Sequence, residues 1–332
     1  MIKMNITGGS NLSDADVTIN DVAYGKTIYD KTGNKITGVN PLIYKPEVSM
    51  IDNILTNTPK MVKVNKIYRR DKILFAIGQG QQIAYSGNNG VSWGPIDLGI
   101  NKIWNDFIWH PHWGYLIIST DGIVCRPTNS NYPLDYEWIA ITSPSSNACF
   151  LTTTSGQPMT YAIEPNGYYW KYDNDNGWNE PSGQNILSFQ ADVIKQLSDG
   201  YYIALGGYNA DKIAYTDTFP GTWTEVDSYY PLDMTVSDDG IYALITADDT
   251  QSYDMRISEN LEDWTIKSVT DEGFTPSIIK YNENKSQFII NDLNNSKLLV
   301  SANTDCDEWM VVQTPFIVKD LYVINNGIVI IS

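Results

Sequence analysis

Apolar and polar positions alternate along most of this chain, in short runs broken by tight polar tips. "VIKQLSDGYYIAL" (193–205), "MTVSDDGIYALI" (234–245), "SIIKYNENKSQFII" (277–290) and "LYVINNGIVIIS" (321–332) each hold two apolar stretches around such a tip. Side chains alternate across a strand, so a period of two with Asp-Gly or Asn-Gly at the tip predicts a β-hairpin. No window of a dozen residues sustains the 3.6-residue period of a helix. "SFQADVIKQL" (188–197) comes nearest, and it alternates like a strand as well. The chain is expected to be all-β.

The hairpins recur with a marker. Trp93, Trp138, Trp178, Trp223, Trp264 and Trp309 are separated by 45, 40, 45, 41 and 45 residues. Upstream of four of them, "QQIAYSGNNGVSW" (81–93), "DKIAYTDTFPGTW" (211–223), "SYDMRISENLEDW" (252–264) and "SKLLVSANTDCDEW" (296–309) superpose as a short apolar strand and a polar turn. A short strand follows the Trp, as in "WIAITSP" (138–144) and "WMVVQTP" (309–315). Each unit thus reads as first strand, tight turn, second strand, loop, third strand, polar turn and fourth strand led by Trp. A repeat of this length with four strands predicts one blade of a β-propeller.

After the sixth Trp the chain continues with "TPFIVKDLYVINNGIVIIS" (314–332), which resembles the start of a unit, "TPKMVKVNKIYRRDKILFAI" (58–77). It supplies two strands, and "NPLIYKPEVSMIDNIL" (40–55) is placed to supply the missing third and fourth. A ring joined by strands from both ends shields sheet edges. The expectation is a propeller over residues 41–332 with seven blades closed by both termini; six blades plus an extra hairpin is the alternative.

Ser86-Gly87-Asn88-Asn89-Gly90-Val91-Ser92-Trp93 resembles the Asp-box, or BNR repeat, of sialidases and many non-catalytic propellers. The family pattern is Ser-x-Asp-x-Gly-x-Thr-Trp, and here Asn88 and Ser92 replace the Asp and Thr. The copy from Thr216 to Trp223 keeps Asp217 and Thr222, Ser258 to Trp264 is one residue short, and Ser301 to Trp309 is one long. The resemblance implies a folding device on the turn between third and fourth strands, in which Ser86, Asn88, Gly90 and Ser92 tie the turn and the Trp packs between blades. That agrees with elementary turn chemistry, since Asn bonds backbone nearby and Gly supplies a positive φ.

Composition narrows the function. With 39 acids against 22 bases the net charge is −17, which repels phosphate backbones and anionic headgroups, so neither nucleic acid nor a membrane is an expected partner. No apolar run of 18 residues and no signal peptide at "MIKMNITGGS" is found, so synthesis in a cytoplasm is expected. Cys125, Cys149 and Cys306 are far apart and odd in number, which predicts buried reduced thiols rather than a disulfide framework or a CxxC metal site.

Catalytic chemistry finds little purchase. A sialidase needs three Arg converging on a carboxylate, and the chain has four in all: Arg69, Arg70, Arg126 and Arg256. The first two fall at a turn tip and the others on third strands. "SDD" (237–239), "ADD" (247–249) and "YDNDNG" (172–177) read as solvated turns. The last carries Asp173, Asn174, Asp175 and Asn176, hard oxygen donors that lack the spacing of a Ca²⁺ loop, so no metal or cofactor is expected. "IWHPHWGY" (108–115) holds both histidines, His110 and His112, between Trp109 and Trp113. It falls at a turn between first and second strands and is a candidate surface contact.

The leading forty residues stand apart. Asp21-Val22, then Gly25, Lys26, Thr27, Ile28, Tyr29 and Asp30, then Gly33 and Lys35-Ile36-Thr37-Gly38, resemble a short element of tailed-phage tail-fibre, baseplate and other appendage proteins. The residues form a hairpin pattern, "KTIYD" and "KITG" around a turn at 31–34. Too small to bury a core, this segment is expected to dock on other virion proteins. The resulting expectation is a non-enzymatic, multi-copy virion surface protein. Residues 1–40 anchor it to tail, baseplate or capsid, and the propeller binds a host glycan or protein. A purely structural decoration protein is the alternative, and a propeller glycosidase ranks last.

Overall fold

A computed structural model describes residues 61–332 except 71, 111–113, 130–136, 142–143, 155–158, 174–176, 180–184, 249–251, 268–273, 315, 325–326 and 332, together with three earlier strands. Every regular element among them is a strand. The chain divides into two compact units, Met1–Tyr44 and Lys45–Ser332. In the first, β1 (Thr27–Tyr29) and β2 (Lys35–Thr37) pair antiparallel, with Thr27 opposite Thr37 and Tyr29 opposite Lys35.

The second unit begins with β3 (Glu47–Met50). A sheet of six strands follows: β4 (Met61–Arg70), β5 (Ile73–Ser86), β6 (Gly94–His110), β7 (Gly114–Ser119), β8 (Val124–Pro127) and β9 (Trp138–Ile141). Next come β10 (Phe150–Thr153), β11 (Thr160–Ile163), β12 (Tyr169–Asp173) and β13 (Gly177–Asn179) in one four-stranded sheet. A second comprises β14 (Val193–Gln196), β15 (Tyr202–Leu205), β16 (Lys212–Thr216) and β17 (Thr224–Asp227). A third comprises β18 (Pro231–Val236), β19 (Tyr242–Ala247), β20 (Tyr253–Ser258) and β21 (Thr265–Lys267). The fourth is β22 (Ile279–Asn282), β23 (Gln287–Asn291), β24 (Lys297–Ser301) and β25 (Trp309–Gln313). Last, β26 (Asp320–Ile324) and β27 (Gly327–Ile331) form a three-stranded sheet with β3.

The described residues thus make five blades, four of four strands and one of six, not the seven or six expected from the repeats. The reason lies in β6. Its Gly94–Asp97 part pairs with β5 and its Trp104–His110 part with β7, so two sequence repeats share one unbroken strand and one sheet. The closing sheet falls short of four strands because residues 40–55 contribute only β3 among the described residues. That strand pairs parallel to β27, with Glu47 opposite Gly327 and Met50 opposite Ile330. A hairpin forces antiparallel pairing, whereas a strand arriving from the far end of the chain has no such constraint.

β4 touches both β26 and β6, so the two ends of the second unit meet and close a ring. The outermost strands β13, β17 and β21 hold only 3, 4 and 3 residues, which shortens the edge that each of those three sheets offers to another chain.

The core lies between sheets, and the repeated tryptophans sit in it. Trp93 packs with Val64, Ile67, Leu74 and Ala84, against Tyr322 of the last sheet. Trp223 joins Phe150, Tyr161 and Phe219, Trp264 leans on Leu197 and Met234, and Trp309 on Ala243 and Met255. Trp178 lies against Leu116, Ile118 and Leu151. Each of these five therefore seals its own sheet to the one before it. Trp138 instead fills the cluster between the halves of the six-stranded sheet, with Phe75 and Trp104.

Their indole N–H groups differ. Trp93 Nε1 donates to Gly90 O at 3.0 Å, while the buried Trp223 Nε1 has no partner. Both Phe variants lose similar ring area, but only Trp93→Phe breaks a hydrogen bond. It should cost about 1 kcal/mol more than Trp223→Phe, read from urea midpoints. Equal costs would refute this account of the turn.

Candidate binding face

The turn after β5 is built from its own side chains. Ser86 Oγ accepts from Gly90 N at 2.9 Å and donates to Asn88 Oδ1 at 2.9 Å. Asn88 Oδ1 accepts from Ser92 N at 2.9 Å, and Asn88 Nδ2 donates to Ser92 Oγ at 2.8 Å. The left-handed backbone at Asn89 (φ 56°) and Gly90 (φ 83°) lets the chain reverse within this net. The turn after β20 repeats the device. Ser258 Oγ accepts from Leu261 N at 3.0 Å, Asn260 Oδ1 from Asp263 N at 2.8 Å, and Trp264 Nε1 donates to Leu261 O at 3.1 Å. After β24 the net is looser, with Asp305 N on Asn303 Oδ1 at 3.1 Å and Trp309 Nε1 on Cys306 O at 3.1 Å. These polar groups are consumed by one another.

At the same end of the ring, the His-Trp stretch differs from expectation. His110 is only 2 % exposed, at the end of β6 opposite Gly114, so it is not a surface contact. Trp109 is half-buried on the Phe75 cluster, with the Arg70 guanidinium 4.3 Å from its ring centre. His112 and Trp113 lie outside the described residues, as do Gly25, Lys26, Asp30, Gly33 and Gly38 of the leading segment. Thr27 and Tyr29 fall in β1 and Thr37 in β2.

Arg126 stands on β8 and Arg256 on β20, in different sheets. Burial pushes the Cys125, Cys149 and Cys306 thiols up to about 12, so none is a thiolate near neutral pH.

Sequence reasoning missed a belt of charged residues on the first strands. Asp106 Oδ2 on β6 accepts from Leu151 N of β10 at 2.8 Å. Asp233 Oδ2 on β18 accepts from Ile279 N of β22 at 2.9 Å, and Asp320 Oδ2 on β26 from Ile67 N of β4 at 2.9 Å. Each carboxylate reaches from its own sheet to the neighbour. The register shifts just before Asp106 and Asp233, and such bulges re-aim side chains. Three lysines accompany them. Lys195 pairs with Asp233, Lys280 Nζ lies 3.8 Å from Asp320, and Lys66 Nζ donates to Asn105 O at 2.7 Å. Tyr68 donates to Asp106 Oδ1 at 2.9 Å.

The electrostatics follow from this crowding. Burial raises the Asp106 carboxyl against the pull of Lys66 and its hydrogen bonds. Burial would raise Asp233 too, but Lys195, Lys280 and the bond from Ile279 outweigh it and hold that carboxyl below the usual range. Burial lowers Lys195. It opposes the charge on Lys280 as well, yet Asp320 and Asp233 raise that ammonium. The available signal was a lone charge inside an apolar run, as in "NDFIW", "PLDMTV" and "IIKYN".

The opposite end of the ring carries the second-to-third loops and the sheet-to-sheet connections, and two clefts open there. The first, of about 560 Å³, is lined by Asn147, Glu164, Asn166, Gln190 and Asp192 beside Phe150. Glu164 is buried and accepts from Ser145 Oγ at 2.6 Å. Asp192 accepts from Asn209 Nδ2 at 2.5 Å, which ties down the loop between β15 and β16. The second cleft, also about 560 Å³, lies on the other side of that loop, between Phe189, Lys212, Tyr229 and Arg256.

Solved structures resemble this arrangement. YCF48 bound to D1 peptide superposes with a TM-score of 0.63 at 14 % identity, over 81 % of this chain and 93 % of that one. Virginiamycin B lyase from Staphylococcus aureus gives 0.61 at 13 % identity, over 81 % and 90 %. The Pan2 WD40 domain from Neurospora crassa gives 0.57 at 10 % identity, over 80 % and 83 %. The fold is that of a β-propeller. No protein-family model matches the chain, and no curated protein matches it. At such identities the likeness speaks for the fold alone.

Two outcomes follow from this geometry. Asn88→Ala should lower stability by about 1–2 kcal/mol, whereas Asn88→Asp, which keeps the acceptor for Ser92 N, should be within about 0.5 kcal/mol of the parent, by thermal melts. Asp233→Asn removes the partner of Lys195 and should cost about 2–4 kcal/mol at pH 7. Because the native pKa of Asp233 lies below its unfolded value of about 3.9, its contribution is present above that pH and lost as pH falls through the native value. The gap between parent and variant should therefore narrow toward pH 3 in urea titrations. A constant gap would show that the charge is irrelevant.

Proposed function

We propose that this chain is a non-enzymatic binding protein whose propeller presents the end carrying the second-to-third loops to a glycan or protein on a cell surface. The observation that carries this reading is the pair of clefts, each about 560 Å³, opening at that one end. At the other end the turns of Ser86–Trp93 and Ser258–Trp264 spend their polar groups internally. Their net matches the role that the Asp-box resemblance implies, and a scaffold turn leaves recognition to the other face.

Among structural neighbours, YCF48 is bound to a peptide and virginiamycin B lyase is an enzyme, so the fold accommodates either use. For this chain binding is favoured: its arginines do not converge on a carboxylate site, and its thiols are held neutral by burial.

The setting rests on residues 21–38, through their resemblance to appendage elements of tailed phages. In this reading residues 1–40 dock the chain, in many copies, on other virion proteins. Deleting residues 1–40 should leave the melting temperature of the propeller within a few degrees of the full chain and abolish incorporation into particles. Normal incorporation would remove the anchor from the proposal. A glycan array and binding to bacterial cells test the other half. Particles that assemble normally while the propeller binds neither glycan nor cell would point to structural decoration instead.

A further inference from the structure

The second cleft contains an arginine with an unmet donor. The Arg256 side chain is 14 % exposed, and its nearest carboxylate, Asp254 Oδ2, stands 4.0 Å from Nη2. Nε is buried with no hydrogen-bond partner. A guanidinium has five N–H donors in a planar fork, and proteins rarely enclose one without acceptors. Its compensation here is the Tyr229 ring, 5.0 Å away, which satisfies charge but not hydrogen bonds. Tyr229 itself is 59 % exposed on the rim of the cleft. Single exposed tyrosines are common on surfaces. Beside this one stands a guanidinium whose Nε has no partner and whose Nη2 has Asp254 only at 4.0 Å, and that pairing of ring and fork is what asks for a ligand.

Local charge selects the ligand class. Arg256 and Lys212 bring two positive charges to the cleft. Asp211 and Asp227 line it as well, Asp254 faces Arg256, and Glu225 holds Lys212 Nζ at 2.9 Å. Two cations against four carboxylates leave a local surplus of two negative charges. A carboxylated or phosphorylated ligand would meet net repulsion there. A neutral polyhydroxyl ligand would not: its hydroxyls can accept from the guanidinium and donate to carboxylates at once, and its apolar ring face can lie on an aromatic side chain.

We infer that this cleft binds a neutral pyranose sugar, with Tyr229 stacking on the ring, Arg256 donating to its hydroxyl oxygens, and Asp227 and Asp211 accepting from its hydroxyls. The inference rests on the binding reading above and names the ligand class for it. It places the sugar between the β14–β17 and β18–β21 sheets, toward the outside of the ring rather than at its axis.

The test is saturation-transfer NMR and titration of the full chain with the methyl glycosides of glucose, galactose and mannose, with glucuronic acid as the charged comparison. At least one neutral glycoside should receive saturation, and glucuronic acid should bind at least fivefold more weakly. Tyr229→Ala and Arg256→Gln should each weaken the neutral sugar at least tenfold with the melting temperature of Tyr229→Ala unchanged, since that side chain is exposed. Tighter binding of glucuronic acid would overturn the choice of ligand class. Full affinity in both variants, while the chain still binds a glycan array, would overturn the cleft and leave the binding reading standing. Silence toward every sugar in both assays would remove the two together.

Discussion

A carboxylate on one first strand that accepts a backbone N–H from the next is the tie on which the ring depends. A four-stranded sheet of short strands cannot bury its two faces alone, and it gains stability only when held against a neighbour at the right height and angle. Asp106, Asp233 and Asp320 set that height by bonding Leu151, Ile279 and Ile67. The last of these joins residues far apart in the chain and closes the ring at the point where β26 meets β4. Enclosing carboxylates costs solvation, and the lysines at 66, 195 and 280 offset it. Once the sheets are seated, the Trp layer between them is sealed from water.

The two ends of the ring divide the labour. At one end hydroxyl and carboxamide groups close upon each other, and a smaller cleft of about 330 Å³ opens there, between the Asn260 and Asp305 turns. At the other, Asp192 draws in the Asn209 loop, and clefts remain on either side of it with carboxylates, amides and an underused guanidinium on their walls.

Much of the architecture was legible before any coordinates. Trp93, Trp264 and Trp309 announced a repeat because each seals an interface between sheets, and a repeated packing task leaves a repeated residue. Ser86 and Asn88 announced the turn because both ends of every bond lie within seven positions of one another. Blade number was not legible, because whether two repeats share a sheet depends on β6 running from Gly94 to His110 as one strand despite the left-handed Gly99 (φ 75°), and period alone does not report that. Nor was the burial of His110, whose sequence neighbours Trp109 and Trp113 suggest an exposed aromatic group equally well.

Local order, then, was determined by the chain alone: strand and turn chemistry act over a few residues, and so does the alternation that makes every described element a strand. The tertiary structure alone decided which charges meet. Lys195 and Asp233, 38 residues apart, meet only where neighbouring sheets pack, and Asp320 and Ile67, 253 apart, only where the ring closes; no local pattern encodes either pair. The same holds for Arg256 and Tyr229. On paper they are a strand residue and a loop residue; side by side at a cleft they become a site, because electrostatic and hydrogen-bond energies depend on distance in space and not along the sequence.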